Sequence, residues 1–168
     1  GDKTALMLGR ITLNPIKHID PIGTILVPLL LVWLGGFVFG WAKPVPFNPH
    51  YLKNKKWGGA LVAVAGPLSN ILLAGIFAVL IHTGMFSPFL VSFFTGIVVV
   101  NIALAIFNLV PIPPLDGHHI LFAALGNRFQ ELQSFLSRYS FIVLIIFIIY
   151  GWELIEPIIM GLVRLFIA

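Results

Sequence analysis

Phe107-Asn108-Leu109-Val110-Pro111-Ile112-Pro113-Pro114-Leu115-Asp116-Gly117 closes the longest uncharged part of the chain. No Asp, Glu, Lys or Arg occurs in the 59 residues from Trp57 to Leu115, and Asp116 is the first formal charge after Lys56. One crossing of roughly 30 Å of hydrocarbon takes about 20 helical residues, so a run of this length holds two. The turn signals His82-Thr83-Gly84-Met85-Phe86-Ser87-Pro88 divide it. One span runs from Gly58 to about Ile81 and the other from Phe89 to Val110.

Composition points the same way. Of 168 residues, 59% are hydrophobic and 10% charged, with a mean hydropathy of +1.04. Soluble domains carry about 25% charged residues on their outer faces. This chain cannot dress a water-facing surface, so it is expected to be an integral membrane protein. No polar linker divides it, which predicts a single membrane-embedded domain over 1–168. The net charge of +4 is spread thinly, and its densest group, Lys53, Lys55 and Lys56, lies between apolar runs. That placement marks a cytoplasmic flank and not a nucleic-acid surface. With no cysteine, disulfides and thiolate metal sites are excluded.

Towards the N-terminus, Pro21 to Ala42 is an uncharged run of 22 residues and reads as a further span. Before it, Arg10-Ile11-Thr12-Leu13-Asn14-Pro15 alternates β-branched and polar residues and predicts a short strand. After it, the prolines at 44, 46 and 49 enforce an extended path. Towards the C-terminus, Asp116 to Leu125 reads as a short helix. Phe129, Leu132, Phe135 and Leu136 form an apolar stripe beside Arg128, Glu131 and Arg138, as in an interfacial helix. Tyr139 to Trp152 is only 14 uncharged residues, so a full crossing draws in neighbouring charges, with Glu153 and Glu156 expected at the far interface. The fold class expected is an all-α polytopic membrane protein, with about four transmembrane helices and short extended or strand-like segments at the membrane edge.

The basic loop at Lys43 and Lys53–Lys56 places that end in the cytoplasm and the 82–89 turn outside. Asp116, Arg128 and Arg138 then return to the cytoplasmic side. Arg10 and Lys17, one span earlier, fall outside on this count, so either 22–40 is re-entrant or those residues sit in a folded edge.

Asp116 admits two readings. As an N-cap it accepts backbone N–H bonds at a helix start, worth about 1 kcal/mol. As a metal ligand it answers the cost of a carboxylate near hydrocarbon with a cation, aimed by the stiff Pro111–Pro114 segment. His118 and His119 are adjacent and should point to different sides of a helix. No H-x-x-x-H pair occurs anywhere, so a three-ligand zinc site cannot be assembled from these residues. Asn101 and Asn108, seven apart, share a helical face, and amides so placed commonly bond across helices. Pro67 is expected to break the first long span near Asn70.

Three stretches together carry a resemblance: Asn108-x-x-Pro111-x-Pro-Pro-Leu-Asp116-Gly117, Ala65-Gly66-Pro67-x-Ser69-Asn70 and Gly40-Trp41-Ala42-Lys43-Pro44-Val45-Pro46-x-Asn48-Pro49. With Gly9-Arg10-Ile-Thr-Leu-Asn14-Pro15 and the opening Gly1-Asp2-x-Thr4-Ala5, the chain resembles the small prokaryotic members of the site-2 protease family of intramembrane zinc metalloproteases. The resemblance implies an integral protein of a prokaryotic cell membrane that cleaves membrane-protein or peptide substrates within the bilayer, with one zinc ion. It implies Asp116 as the third zinc ligand and Asn108 as a catalytic residue in substrate or oxyanion contact. The family's H-E-x-x-H, with two histidine ligands and the general base, is absent here and is expected upstream of Gly1. The chain alone is therefore expected to be inactive. The alternative is a non-catalytic module that binds membrane helices, or a small-solute carrier using a polar gap near Asn70, Asn101 and Asn108.

Overall fold

The computed structural model describes residues 2–12, 14–34, 40, 42, 43, 45, 48 and 51–168, with the backbone alone at Asn127. The chain divides into two compact units, Gly1–Lys55 and Lys56–Ala168.

In the first unit, α1 (Thr4–Met7) is a single turn beside an Asp2 carboxylate that gathers three donors. These are the Thr4 N–H at 2.9 Å, the Thr4 hydroxyl, and the Asn48 N–H at 2.7 Å, which ties the two ends of the unit together. The strand expected at 10–15 is not formed among the described residues of that stretch. Asn14 accepts the Ile16 N–H through its side chain at 3.0 Å and opens a 3₁₀ turn, Pro15–His18. Arg10 donates to the Lys17 carbonyl at 2.6 Å, and His18 Nε2 donates to the Thr12 carbonyl at 3.0 Å. These local bonds take the groups that a strand would offer to a neighbour. No strand occurs among the described residues. The extended path expected through 43–49 falls largely outside them, although Lys43 N–H donates to the His18 carbonyl at 2.9 Å.

Asp20 then caps a helical run, accepting the Ile22 and Gly23 N–H groups at 3.0 and 2.8 Å, with Pro21 at the first helical position. A π-helical stretch, Pro21–Leu26, leads into α2 (Val27–Trp33). These 13 residues rise about 19 Å, short of a crossing. The second half of the span expected here, residues 35–39, lies outside the described residues.

The second unit holds three helices long and apolar enough to span a membrane. α3 (Gly58–His82) and α4 (Pro88–Asn108) form an antiparallel pair joined by a turn at Gly84, whose φ of 66° is the left-handed conformation that ends a helix. Pro88 opens α4 at the first helical position, where its missing N–H costs nothing. α5 (Gly117–Leu125) packs on α3, and α6 (Gln130–Arg138) leads into the last span. That span is α7 (Ser140–Ile146), a π-helical stretch Phe147–Gly151, and α8 (Trp152–Ile167). At 28 residues it rises about 42 Å. Glu153 and Glu156 lie inside it, so the helix takes in both charges as a full crossing was expected to.

α3 also differs from expectation at Pro67, which sits buried within an unbroken helix. The lost hydrogen bond is tolerated because neighbouring groups can re-satisfy a freed carbonyl in a membrane helix.

The core gathers small residues of α3 (Ala74, Ala78) against Val98 and Ile102 of α4, and Ile155, Ile159 and Val163 of α8. Small side chains on α3 allow its neighbours to approach closely. Large apolar residues such as Leu61, Leu72 and Val79 point outward. Between 17% and 22% of each span's most apolar stretch is buried, which leaves the greasy majority for lipid. The molecule is thus an integral membrane protein, with three long apolar spans and one shorter apolar helix among the described residues.

Candidate functional site

The loop between α4 and α5 carries both residues singled out from the sequence. Its path is set by short-range bonds: Val110 N–H to Phe107 O at 3.1 Å, Ile112 N–H to Val110 O at 2.8 Å, and Leu115 N–H to Ile112 O at 2.9 Å. Val110, Pro113 and Leu115 are buried, and Val110 and Leu115 belong to the main core. The Pro113–Pro114 bond is cis. Three prolines and three buried anchors leave the loop little freedom.

Asp116 follows at the N-cap position of α5, yet it does not cap. Its backbone is helical (φ −56°, ψ −33°) and its side chain makes no capping bond. A capping residue normally has extended dihedrals so that its oxygen can turn back on the N–H groups behind it. Among the described residues the carboxylate accepts no hydrogen bond. It is half-buried and lies against α3, where a Cβ built on Gly66 would sit 3.2 Å from Asp116 Oδ2. Burial pushes the Asp116 carboxyl above its ordinary range, and the neighbouring His118 partly offsets this.

Gly117, next in sequence, is packed on the carbonyls of Leu109 and Val110 so tightly that no Cβ fits. This contact folds the start of α5 back on the end of α4. His118 Nδ1 binds the Leu115 carbonyl at 2.6 Å. The two histidines do not diverge as expected, since their ring centroids lie 3.9 Å apart. Burial, and then His118, hold the His119 imidazole below its ordinary pKa.

Asn108 ends α4 and donates its amide to Leu104 O at 3.0 Å, while Asn101 donates to Ile97 O at 2.8 Å. Each bond is to a carbonyl four residues back on the same helix. The cross-helix role expected for Asn101 is therefore not the one it plays. An amide can satisfy itself in the turn below whenever that carbonyl is within reach.

Zinc sites take three or four donors from N, O and S ligands. Among the described residues no group of three His, Cys, Asp or Glu side chains is close enough to hold an ion. Asp116 fits as one oxygen donor: a carboxylate side chain, half-buried, with no hydrogen bond from any of the described residues. Sequence reasoning put forward Asp116 and Asn108, read Gly66 only as one of the small residues that let a neighbouring backbone approach, and gave Gly117 no task. The available signal was a glycine inside a helix pattern, which often marks a close approach.

The profile of peptidase family M50 matches residues 84–150. The Bacillus subtilis protein YwhC, whose name describes a candidate zinc metalloprotease, is 43% identical over 155 residues, covering 87% of this chain and 68% of that protein. Rip2 of Mycolicibacterium smegmatis, named in the same way, is 28% identical over 152 residues, covering 89% of the chain and 57% of Rip2. MJ0611 of Methanocaldococcus jannaschii, again so named, is 42% identical over 62 residues, which is 36% of the chain and 31% of that protein. No solved structure matches the chain.

Proposed function

The chain belongs to peptidase family M50, the site-2 protease family, and from that membership we propose that it forms part of an intramembrane zinc endopeptidase that cleaves membrane-spanning substrates. The observation that carries this reading is the Asp116 carboxylate, held against α3 with no capping or pairing bond. Stability alone gives little reason to keep such a group there, because burial disfavours its charged form.

In this reading Asp116 supplies one oxygen donor to zinc. Two histidine donors and the general base come from an H-E-x-x-H outside these 168 residues, since the sequence contains no H-x-x-x-H. Bound zinc polarises the scissile carbonyl and lowers the pKa of its water. Asn108 is the residue that meets the substrate. One amide hydrogen is committed to Leu104 O, and the second is available for a substrate carbonyl or a developing oxyanion. The 109–115 loop fixes the spacing between this amide and the carboxylate. A substrate helix has its own carbonyls bonded internally, so it must unwind locally before an amide bond can be cut. The fourth crossing of the expected architecture is assigned to the stretch that contains the shorter apolar helix Pro21–Trp33.

The test is made on the full-length protein. Asp116→Asn should lose stoichiometric zinc and cleavage of a membrane-anchored substrate. Zinc and proteolysis both retained at wild-type level would reject the ligand assignment.

A further inference from the structure

We propose that Gly66 is a positioning residue for the Asp116 carboxylate, its missing side chain making the space in which that carboxylate is held against α3. This rests on the reading of Asp116 as a zinc ligand.

Gly66 lies in the interior of α3, where glycine is unfavourable relative to alanine. Its place in the helix therefore calls for a compensating reason. Among the described residues no other helix packs closely on Gly66, which is exposed. Among the described residues, and apart from its chain neighbours and its own helix's backbone, a single heavy atom lies within 4 Å of the point a Cβ would occupy, and it is Asp116 Oδ2 at 3.2 Å. Two other glycines of the paired helices behave differently. A Cβ at Gly75 would touch only the Phe166 ring at an ordinary 3.7 Å, and one at Gly96 would meet nothing. Of these three, Gly66 is the glycine whose Cβ would press on a charged side chain.

A contact of 3.2 Å obliges the neighbour to give by a few tenths of an ångström. Asp116 has little room to do so without leaving its place. Behind it, Gly117 is wedged on the carbonyls of Leu109 and Val110, and Leu115 is buried in the core. Metal–ligand distances hold to about 0.2 Å. A methyl group at position 66 therefore displaces the oxygen by more than a zinc site tolerates, while leaving the helix itself better formed.

The experiment compares Gly66→Ala, Gly75→Ala and Asp116→Asn in the full-length protein. Zinc affinity is measured by competition with a chelator, the metal-free forms are compared by thermal unfolding, and the visible spectrum is recorded after cobalt substitution. Gly66→Ala should weaken zinc binding by about 10- to 100-fold, the range seen when a group that orients a ligand is altered. It should also shift the cobalt spectrum and leave the metal-free melting temperature equal or higher. Gly75→Ala should change none of the metal readouts. Wild-type zinc affinity in Gly66→Ala, alongside loss of zinc in Asp116→Asn, overturns the positioning role and spares the ligand assignment. Zinc retained in Asp116→Asn removes both. A metal-free Gly66→Ala protein that melts lower or fails to fold also overturns the proposal, since Gly66 is then a packing residue.

Discussion

Gly117 and Leu109 are locked together: a Cβ built on the first would overlap the backbone carbonyl of the second. The same position abuts the Val110 carbonyl, at 2.5 Å from a would-be Cβ. Backbone atoms cannot swing aside as a flexible side-chain end can. Gly117→Ala should therefore move α5 off the end of α4 and cost about 1–3 kcal/mol, the range for overpacking. Thermal unfolding in detergent checks this, and a melting temperature within error of wild type would show that the loop accommodates the methyl.

The two asparagines of α4 make the same kind of bond to their own helix and should still separate on mutation. Asn101 Nδ2 binds Ile97 O well inside the span, so Asn101→Ala should leave proteolysis near wild type. Its stability change should stay within about 0.6 kcal/mol, the mean for polar contacts in membrane bundles. Asn108 stands one loop before Asp116. If its second amide hydrogen stabilises a developing oxyanion, Asn108→Ala should lower kcat by about 100-fold or more, with zinc content unchanged. Equal, small effects at both positions would remove Asn108 from the site.

The antiparallel pairing of α3 and α4 fixes which loops share a side of the membrane. Lys56 precedes α3, Arg128 lies between the end of α4 and the start of the last span, and Met85 sits in the opposite turn. All three are exposed, and the chain has no cysteine to confuse the result. Single cysteines at 56 and 128 should react with an impermeant thiol reagent only from the cytoplasmic face, as the basic flank requires. A cysteine at 85 should react only from the outside. Labelling of 56 and 128 from opposite faces would contradict the helix pairing.

The Asp2 clasp has a pH signature. The Thr4 hydroxyl first, then the Asn48 and Thr4 N–H groups, hold this carboxyl below its ordinary 3.8. A carboxylate depressed on folding stabilises the folded unit above its unfolded pKa, and that contribution is lost as the pH falls through the lower, folded value. Hydrogen exchange at the Asn48 amide should therefore stay protected above pH 3.8 and lose protection only below it. In Asp2→Ala that protection should be missing throughout. Unchanged protection in the variant would mean that the clasp does not hold the unit.

Much of the architecture was legible from composition, because hydrocarbon is an unforgiving solvent. Fifty-nine residues without a formal charge have no stable place but a membrane, and a hairpin with its turn near Gly84 follows from counting. The strand at 10–15 failed for a local reason, since Asn14, Arg10 and His18 bonded the nearby backbone first. The break at Pro67 failed because a helix held by lipid and neighbours survives the loss of one hydrogen bond.

By itself the sequence determined the solvent, the helical class and the family, and it put forward Asn108 and Asp116 as candidate site residues. Each of these depends on residue type and spacing along the chain, which a string of letters preserves. What the tertiary structure decided was the disposition of atoms far apart in that string. Asp116 turns from its own helix towards Gly66 on α3, the Asn101 amide folds back on Ile97, and the last span carries on past Glu153 and Glu156. Such outcomes are settled by which surfaces the packed helices bring within a few ångströms, and no reading of local propensity contains that distance.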